Sequence, residues 1–232
     1  MLVCIDPGHA KNTAGKRSFD GTLREYEFNR DVAKRLKNHL TRHGVNVIYS
    51  CDINTDIDIS HAERCKTANN AKADVFVSLH ANASGTDWNT SNGWEIYHHQ
   101  NSSIGRKLAE CIRQESIPFL GLKDRGIKTD SLYVIRNTKM PAVLIEHAFF
   151  TNKEECEKLK SSVFREKCAV ADAKGILKYL GIPWKETAEN TANIDEISII
   201  KNKIGLADET IEYLKAYKYG KELIHKIANA VK

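Results

Sequence analysis

The feature that most constrains the fold is an alternation, sustained to about residue 181, of short apolar runs with longer amphipathic stretches. The runs at 2–5, 45–49, 75–79, 94–97, 132–135 and 142–145 have strand length and read as buried strands. Between them, residues 26–40 set Phe28, Val32, Leu36 and Leu40 four positions apart, which is one face of a helix. Further amphipathic stretches occupy about 60–71, 102–115 and 153–180. Strands alternating with helices predict an α/β fold, a twisted, mostly parallel or mixed sheet flanked by helices. The apolar runs are far shorter than the roughly 20 residues needed to span a bilayer, so membrane insertion is not expected.

The rhythm stops after 181. Residues 182–193 read as a linker, and 194–232 as a small C-terminal helical segment. There Ile197, Ile200 and Ile204 share a face, Asp208 is placed to cap a second helix carrying Ile211 and Leu214, and Leu223, Ile224, Ile227, Ala228 and Val231 form an apolar stripe. Such a short segment is marginal as an independent core. It therefore has two readings: a packed tail, docking on the rest of the chain or on a second copy as a homo-oligomer, or a targeting module.

Charge and cysteines exclude more than they assign. The net charge is +5, and residues 184–232 balance eight lysines against eight acids, so the whole excess lies in 1–183. A modest basic surplus suits an anionic polymer. Basic clusters interleaved with aromatic residues are absent, so nucleic acid is not an expected partner. Six cysteines are scattered with no C-x-x-C pair, and they read as reduced, buried small hydrophobes. Met1 leads straight into an apolar run without a basic start or a small-residue cleavage site, so no signal peptide is expected.

Chemistry gathers at three strand ends. The first run stops at Asp6-Pro7-Gly8-His9, the third at Ser78-Leu79-His80-Ala81-Asn82, and the last at Glu146 after five uncharged residues. Functional groups of open α/β sheets collect where strands end. With Glu25 at the mouth of the first long helix, two imidazoles and two carboxylates can converge. Two histidines and one carboxylate are a ligand set for catalytic zinc, with a position left open for water, and the second carboxylate is then free to act as a general base. Each residue also has a plain reading: His9 as a turn or surface residue, Glu25 as a charge favouring a helix N-terminus. Glu146 is harder to dismiss, because a buried carboxylate needs a partner. Spacing alone stops at a metallohydrolase.

These segments resemble those of the family 3 N-acetylmuramoyl-L-alanine amidases. Ile5-Asp6-Pro7-Gly8-His9 is similar to the family's first zinc-ligand turn, and Glu25 with Asn29, Asp31 and Ala33 to its helix start bearing the second ligand. Arg64, Asn69 and Ala73-Asp74 lead to Ser78-Leu79-His80-Ala81-Asn82-Ala83, which resembles the segment of the third ligand. Gly93-Trp94-Glu95-Ile96-Tyr97 fills the place of a Gly-led strand. Pro141 to Glu146, with Phe149, Thr151 and Asn152 behind it, resembles the segment of the catalytic glutamate. The resemblance covers residues 1–181 in order. It departs at His147, where the family has a small residue; next to Glu146 on a strand, His147 points to the opposite face, away from a metal. By chemistry alone Glu25 and Glu27 compete, and only one can face the site; Asn29 and Asp31 favour Glu25.

The resemblance implies one zinc ion per chain held by His9, Glu25 and His80, with Glu146 as the catalytic residue. It implies a catalytic domain at 1–181 acting on peptidoglycan, cutting between N-acetylmuramic acid and L-alanine as an endolysin or autolysin does. A partner accepting the free ring N–H of His9 or His80 is expected. Without an export signal, the chain would wait in the cytoplasm until released to the wall. A zinc peptidase of the stem peptide and a non-catalytic wall-binding protein remain alternatives. His61, Glu95, His98 and His99 read as surface or substrate-facing.

Overall fold

The computed structural model describes residues 1–186 and, beyond them, 196–197, 199–207, 210–211, 213–214 and 220–231. It divides into two units, Met1–Pro183 and Trp184–Lys232.

The first unit follows the order β1 (Leu2–Pro7), α1 (Glu25–Arg42), β2 (Asn46–Tyr49), α2 (His61–Asn70), β3 (Val75–Asn82), β4 (Trp94–His98), α3 (Ser103–Leu120), β5 (Asp124–Thr129), α4 (Tyr133–Arg136), β6 (Ala142–Phe149), α5 (Lys153–Lys160) and α6 (Ser162–Leu180). The strands form one mixed sheet in the order β2-β1-β3-β6-β4-β5. Strands β2, β1, β3 and β6 are mutually parallel, β4 is antiparallel to β6, and β5 runs parallel to β4. The expected α/β architecture is the one observed.

Side chains alternate across the sheet with period two. On one face Cys4, Phe76, Ala142 and Leu144 pack with Cys65 and Ala68 of α2 and Val134 and Ile135 of α4. The other face is covered by α1, α3, α5 and α6, among which α3 and α6 pack most extensively. Gly175 permits that approach, because a Cβ there would stand 2.4 Å from the Cα of Ile112. Along the first face, the apolar pairs Cys4, Phe76 and Leu144 give way at the strands' C-terminal ends to Asp6, Ser78, His80 and Glu146. The same alternation that fills the core therefore aims these polar groups at one end.

Two expected elements are corrected. Residues 132–135 form not a strand but the short helix α4, whose Val134 and Ile135 cap the core. The fifth strand lies earlier, at Asp124–Thr129, an edge strand with one aliphatic residue. The stretch 153–180 is two helices, because Ser161 is extended and its hydroxyl accepts from the Phe164 amide, capping α6.

In the second unit, α7 (Gly220–Ala230) contributes Ile224 and Ala228 to a small core with Ile200 and Ile211, against which Ile197, Leu206, Leu214 and Ile227 pack. The cap expected at Asp208 and positions 187–193 of the expected linker lie outside the described residues. No helix among the described residues is long and apolar enough to cross a membrane.

Candidate metal centre

Each candidate residue is delivered by a different element. His9 follows β1 and adopts a left-handed φ of +64°, unusual for a residue with a side chain, which turns its ring back over the sheet end. Gly8 lies flat beneath the imidazole of His80; a Cβ there would fall 2.1 Å from its Cε1. Glu25 opens α1 and is buried, its backbone N–H donating to the carbonyl of Lys16 at 3.0 Å. His80 sits on β3 in register with Glu146 on β6.

His9, Glu25 and His80 each offer a ligand atom, and these atoms lie within 4.8 Å of one another. Glu25 stands between the rings: Oε1 is 2.9 Å from His80 Nδ1, and Oε2 is 3.4 Å from His9 Nε2. Oε1 also accepts the Ala81 amide at 3.2 Å and the Asn29 amide at 3.4 Å. Oε2 is buried without any hydrogen-bond partner, as is Oε2 of Glu146. A buried carboxylate oxygen left unpaired is costly, and a cation between the rings would satisfy it. The donor set therefore fits zinc. Burial pushes the His9 imidazole down to about 4 against the pull of Glu25, which keeps it in the neutral, metal-ligating form. Burial also drives the Glu146 carboxyl up to about 8, with the negative charge of Glu25 adding to the rise.

The nitrogens that face away from Glu25 meet partners the sequence did not name. His80 Nε2 lies 3.2 Å from Ser78 Oγ, which donates to Asp6 Oδ2 at 2.6 Å. His9 Nδ1 lies 3.9 Å from Asp58 Oδ2, which is held by the Thr13 hydroxyl at 2.6 Å. One buried guanidinium joins both arms: Arg64 donates to Asp6 Oδ1 at 2.7 Å, to Asp58 Oδ1 at 2.6 Å and to the Pro7 carbonyl at 2.9 Å. Burial would raise the Asp6 carboxyl, but Arg64 and the hydroxyls of Ser50 and Ser78 hold it below its ordinary value. The legible signal was a charged Asp6 closing an apolar strand.

His147 does face away from this centre. Its Nε2 meets Asp172 of α6 at 2.8 Å, and its Nδ1 meets the carbonyl of His80 at 3.1 Å. Glu95 is not a surface residue: it is buried, accepting from Arg125 at 2.5 Å, from Asn82 at 2.8 Å, from Tyr97 at 2.7 Å and from Lys128. His98 is buried as well, whereas His61 lines a cleft of about 230 Å³ with His9, His80, Glu146 and Tyr133.

The family described as N-acetylmuramoyl-L-alanine amidase matches residues 3–178. The chain belongs to that family. Its amidase segment is 38% identical over 179 residues to the N-acetylmuramoyl-L-alanine amidase LytC of Bacillus subtilis (strain 168), a match covering 76% of this chain and 35% of LytC. This chain thus spans about a third of that relative. The endolysin of Bacillus phage SPP1 is 34% identical over 210 residues, covering 88% of this chain and 74% of the endolysin. The solved catalytic domain of CwlV, an N-acetylmuramoyl-L-alanine amidase from Bacillus (Paenibacillus) polymyxa var. colistinus, superposes with a TM-score of 0.73 at 34% identity, over 78% of this chain and 99% of that one. The amidase fold and the hydrolase class follow from these matches together.

Proposed function

We propose that the chain is a zinc-dependent amidase that hydrolyses the bond between N-acetylmuramic acid and L-alanine in bacterial peptidoglycan. The observation that carries this reading is the buried Glu25 carboxylate, set between two imidazoles with its Oε2 lacking a hydrogen bond, together with Glu146, which stands in register with His80 and also has a buried oxygen without one. His9, Glu25 and His80 would hold one zinc. When bound, zinc supplies Lewis-acid polarisation of the scissile carbonyl and acidifies water at an open coordination position. Glu146 takes the proton released by the attacking water and delivers it to the leaving amine nitrogen. A carboxyl pushed up near neutral pH can serve both directions of that transfer. Ser78 holds the His80 ring in orientation through its outward Nε2, and Asp58 faces the outward Nδ1 of His9 at 3.9 Å as a charge partner.

Digestion of purified walls tests the bond. New L-alanine amino termini should appear while glycan strands gain no new reducing ends. New termini of D-alanine, diaminopimelate or lysine would instead identify a peptidase of the stem peptide.

For the second unit, the reading is wall targeting. Ile224 and Ala228 of the apolar stripe are already covered within the unit, which favours a self-contained module over a face kept for a second copy. A chain ending at Pro183 should cleave soluble muropeptides at close to the full rate but sediment less with intact walls. Equal sedimentation would remove the targeting role.

A further inference from the structure

The loop between β1 and α1 makes a second cleft, of about 270 Å³, lined by residues 10–17 with Arg24 and Tyr26. Its charged lining residues are Lys11, Lys16, Arg17 and Arg24, and no carboxylate lines it. Lys11 is paired with Asp56 at 3.0 Å, whereas the side chains of Arg17 and Arg24 have no ion-pair partner among the described residues, and the Lys16 charge draws down the carboxyls of Glu25 and Glu146. The loop is built rather than draped. Arg17 and Arg24 face each other in an antiparallel bridge, Ser18 and Leu23 close the turn at 2.9 Å, and Arg24 Nη1 donates to the Lys11 carbonyl at 3.0 Å.

This cleft adjoins the catalytic one. Lys16 lines both, and its carbonyl accepts the backbone N–H of the candidate ligand Glu25. The catalytic cleft carries both signs of charge, with Asp6, Asp58 and Glu146 beside Lys16 and Arg64, so the loop cleft differs from it in being basic alone. The two sides of the scissile amide also differ in charge. The carboxyl of the muramic acid is consumed in the amide, so the sugar side is neutral; the peptide side keeps its side-chain and terminal carboxylates. A concave surface of one sign concentrates and orients the oppositely charged group, and guanidinium matches carboxylate geometry.

We propose that the 10–24 loop is a carboxylate-binding subsite that seats the acidic stem peptide, with Arg17 and Lys16 as its recognition residues. The proposal rests on the amidase reading above, and it fixes the direction in which substrate lies across the centre. Because Lys16 lines both clefts, an occupant of the loop cleft lies next to the molecule being cut.

The test uses the full-length chain and an Arg17→Gln variant. Two soluble muramoyl peptides serve as substrates, one with the free carboxylate on its second residue and one with the carboxamide there. The wild type should favour the carboxylate form. The Arg17→Gln variant should raise KM for that form by about tenfold, leave kcat within about twofold, and leave the carboxamide form unchanged. Added salt should mimic the substitution. Equal effects on both substrates, or none, would overturn the subsite. So would a loss confined to intact walls that carry phosphodiester polymers, since that would assign the loop to phosphate. Equilibrium binding of the free stem peptide provides a readout independent of cleavage. If the wild type binds the peptide through Arg17 yet cuts neither substrate, the subsite stands and the amidase reading fails.

Discussion

His147 and Asp172 form a completely buried pair, 2.8 Å apart, directly behind the candidate metal centre. The second ring nitrogen of His147 meets the backbone carbonyl of His80, so α6 is tied to the ligand strand through one imidazole. Asp172→Ala leaves a buried ring nitrogen without its partner, and it should lower the unfolding free energy by about 1–3 kcal/mol in urea titration. A loss below about 1 kcal/mol would mean that the pair contributes little.

One zinc per chain should be found by elemental analysis, and a strong chelator should remove it together with activity. His9→Ala and His80→Ala should each lose both metal and turnover. Active protein free of zinc would overturn the mechanism.

Glu146 stands outside the three-residue cluster and should separate binding from chemistry. Glu146→Gln should retain zinc while turnover falls by about a hundredfold or more. Loss of zinc in this variant would make Glu146 a ligand and reopen the role of Glu25.

Ser78→Ala removes the oxygen that faces His80 Nε2 and leaves the strand intact. Zinc affinity, read by competition with a chelator, should weaken by about tenfold or more. Unchanged affinity would show that Ser78 only fills space between Asp6 and the ring.

Glu166 offers a pH test away from the site. Its carboxyl is lowered from 4.5 to about 2 by hydrogen bonds from His39 and Arg35, against burial. A depressed folded value means that the stabilisation is fully present above about 4.5 and fades as pH falls through about 2. Glu166→Gln should therefore be less stable than wild type at pH 6, with the difference closing toward pH 2. A constant difference across that window would detach the effect from the carboxylate.

The sheet's interior was readable because buried strands are nearly continuous apolar runs, as in Val75–Asn82 before Ser78. The edge strand Asp124–Thr129 was not, since an edge needs little apolar surface and its lone Ile127 sets no period. Conversely, the apolar run at 132–135 imitates a strand, because one turn of helix also buries adjacent residues against a core. His9, Glu25 and His80 were legible as charged or ligating types at or near element ends; Glu146, expected to close its strand, instead stands within β6, which runs on to Phe149. Arg64, Asp58 and Ser78 were not legible as partners of the rings. Their roles depend on three elements meeting in space, and a lone Arg on a helix or Ser in a strand carries no period of its own.

The flat contact between Gly8 and the His80 ring has a consequence for how the activity can be lost. One methyl group placed at position 8 would occupy the ring's own volume and force His80 away from Glu25.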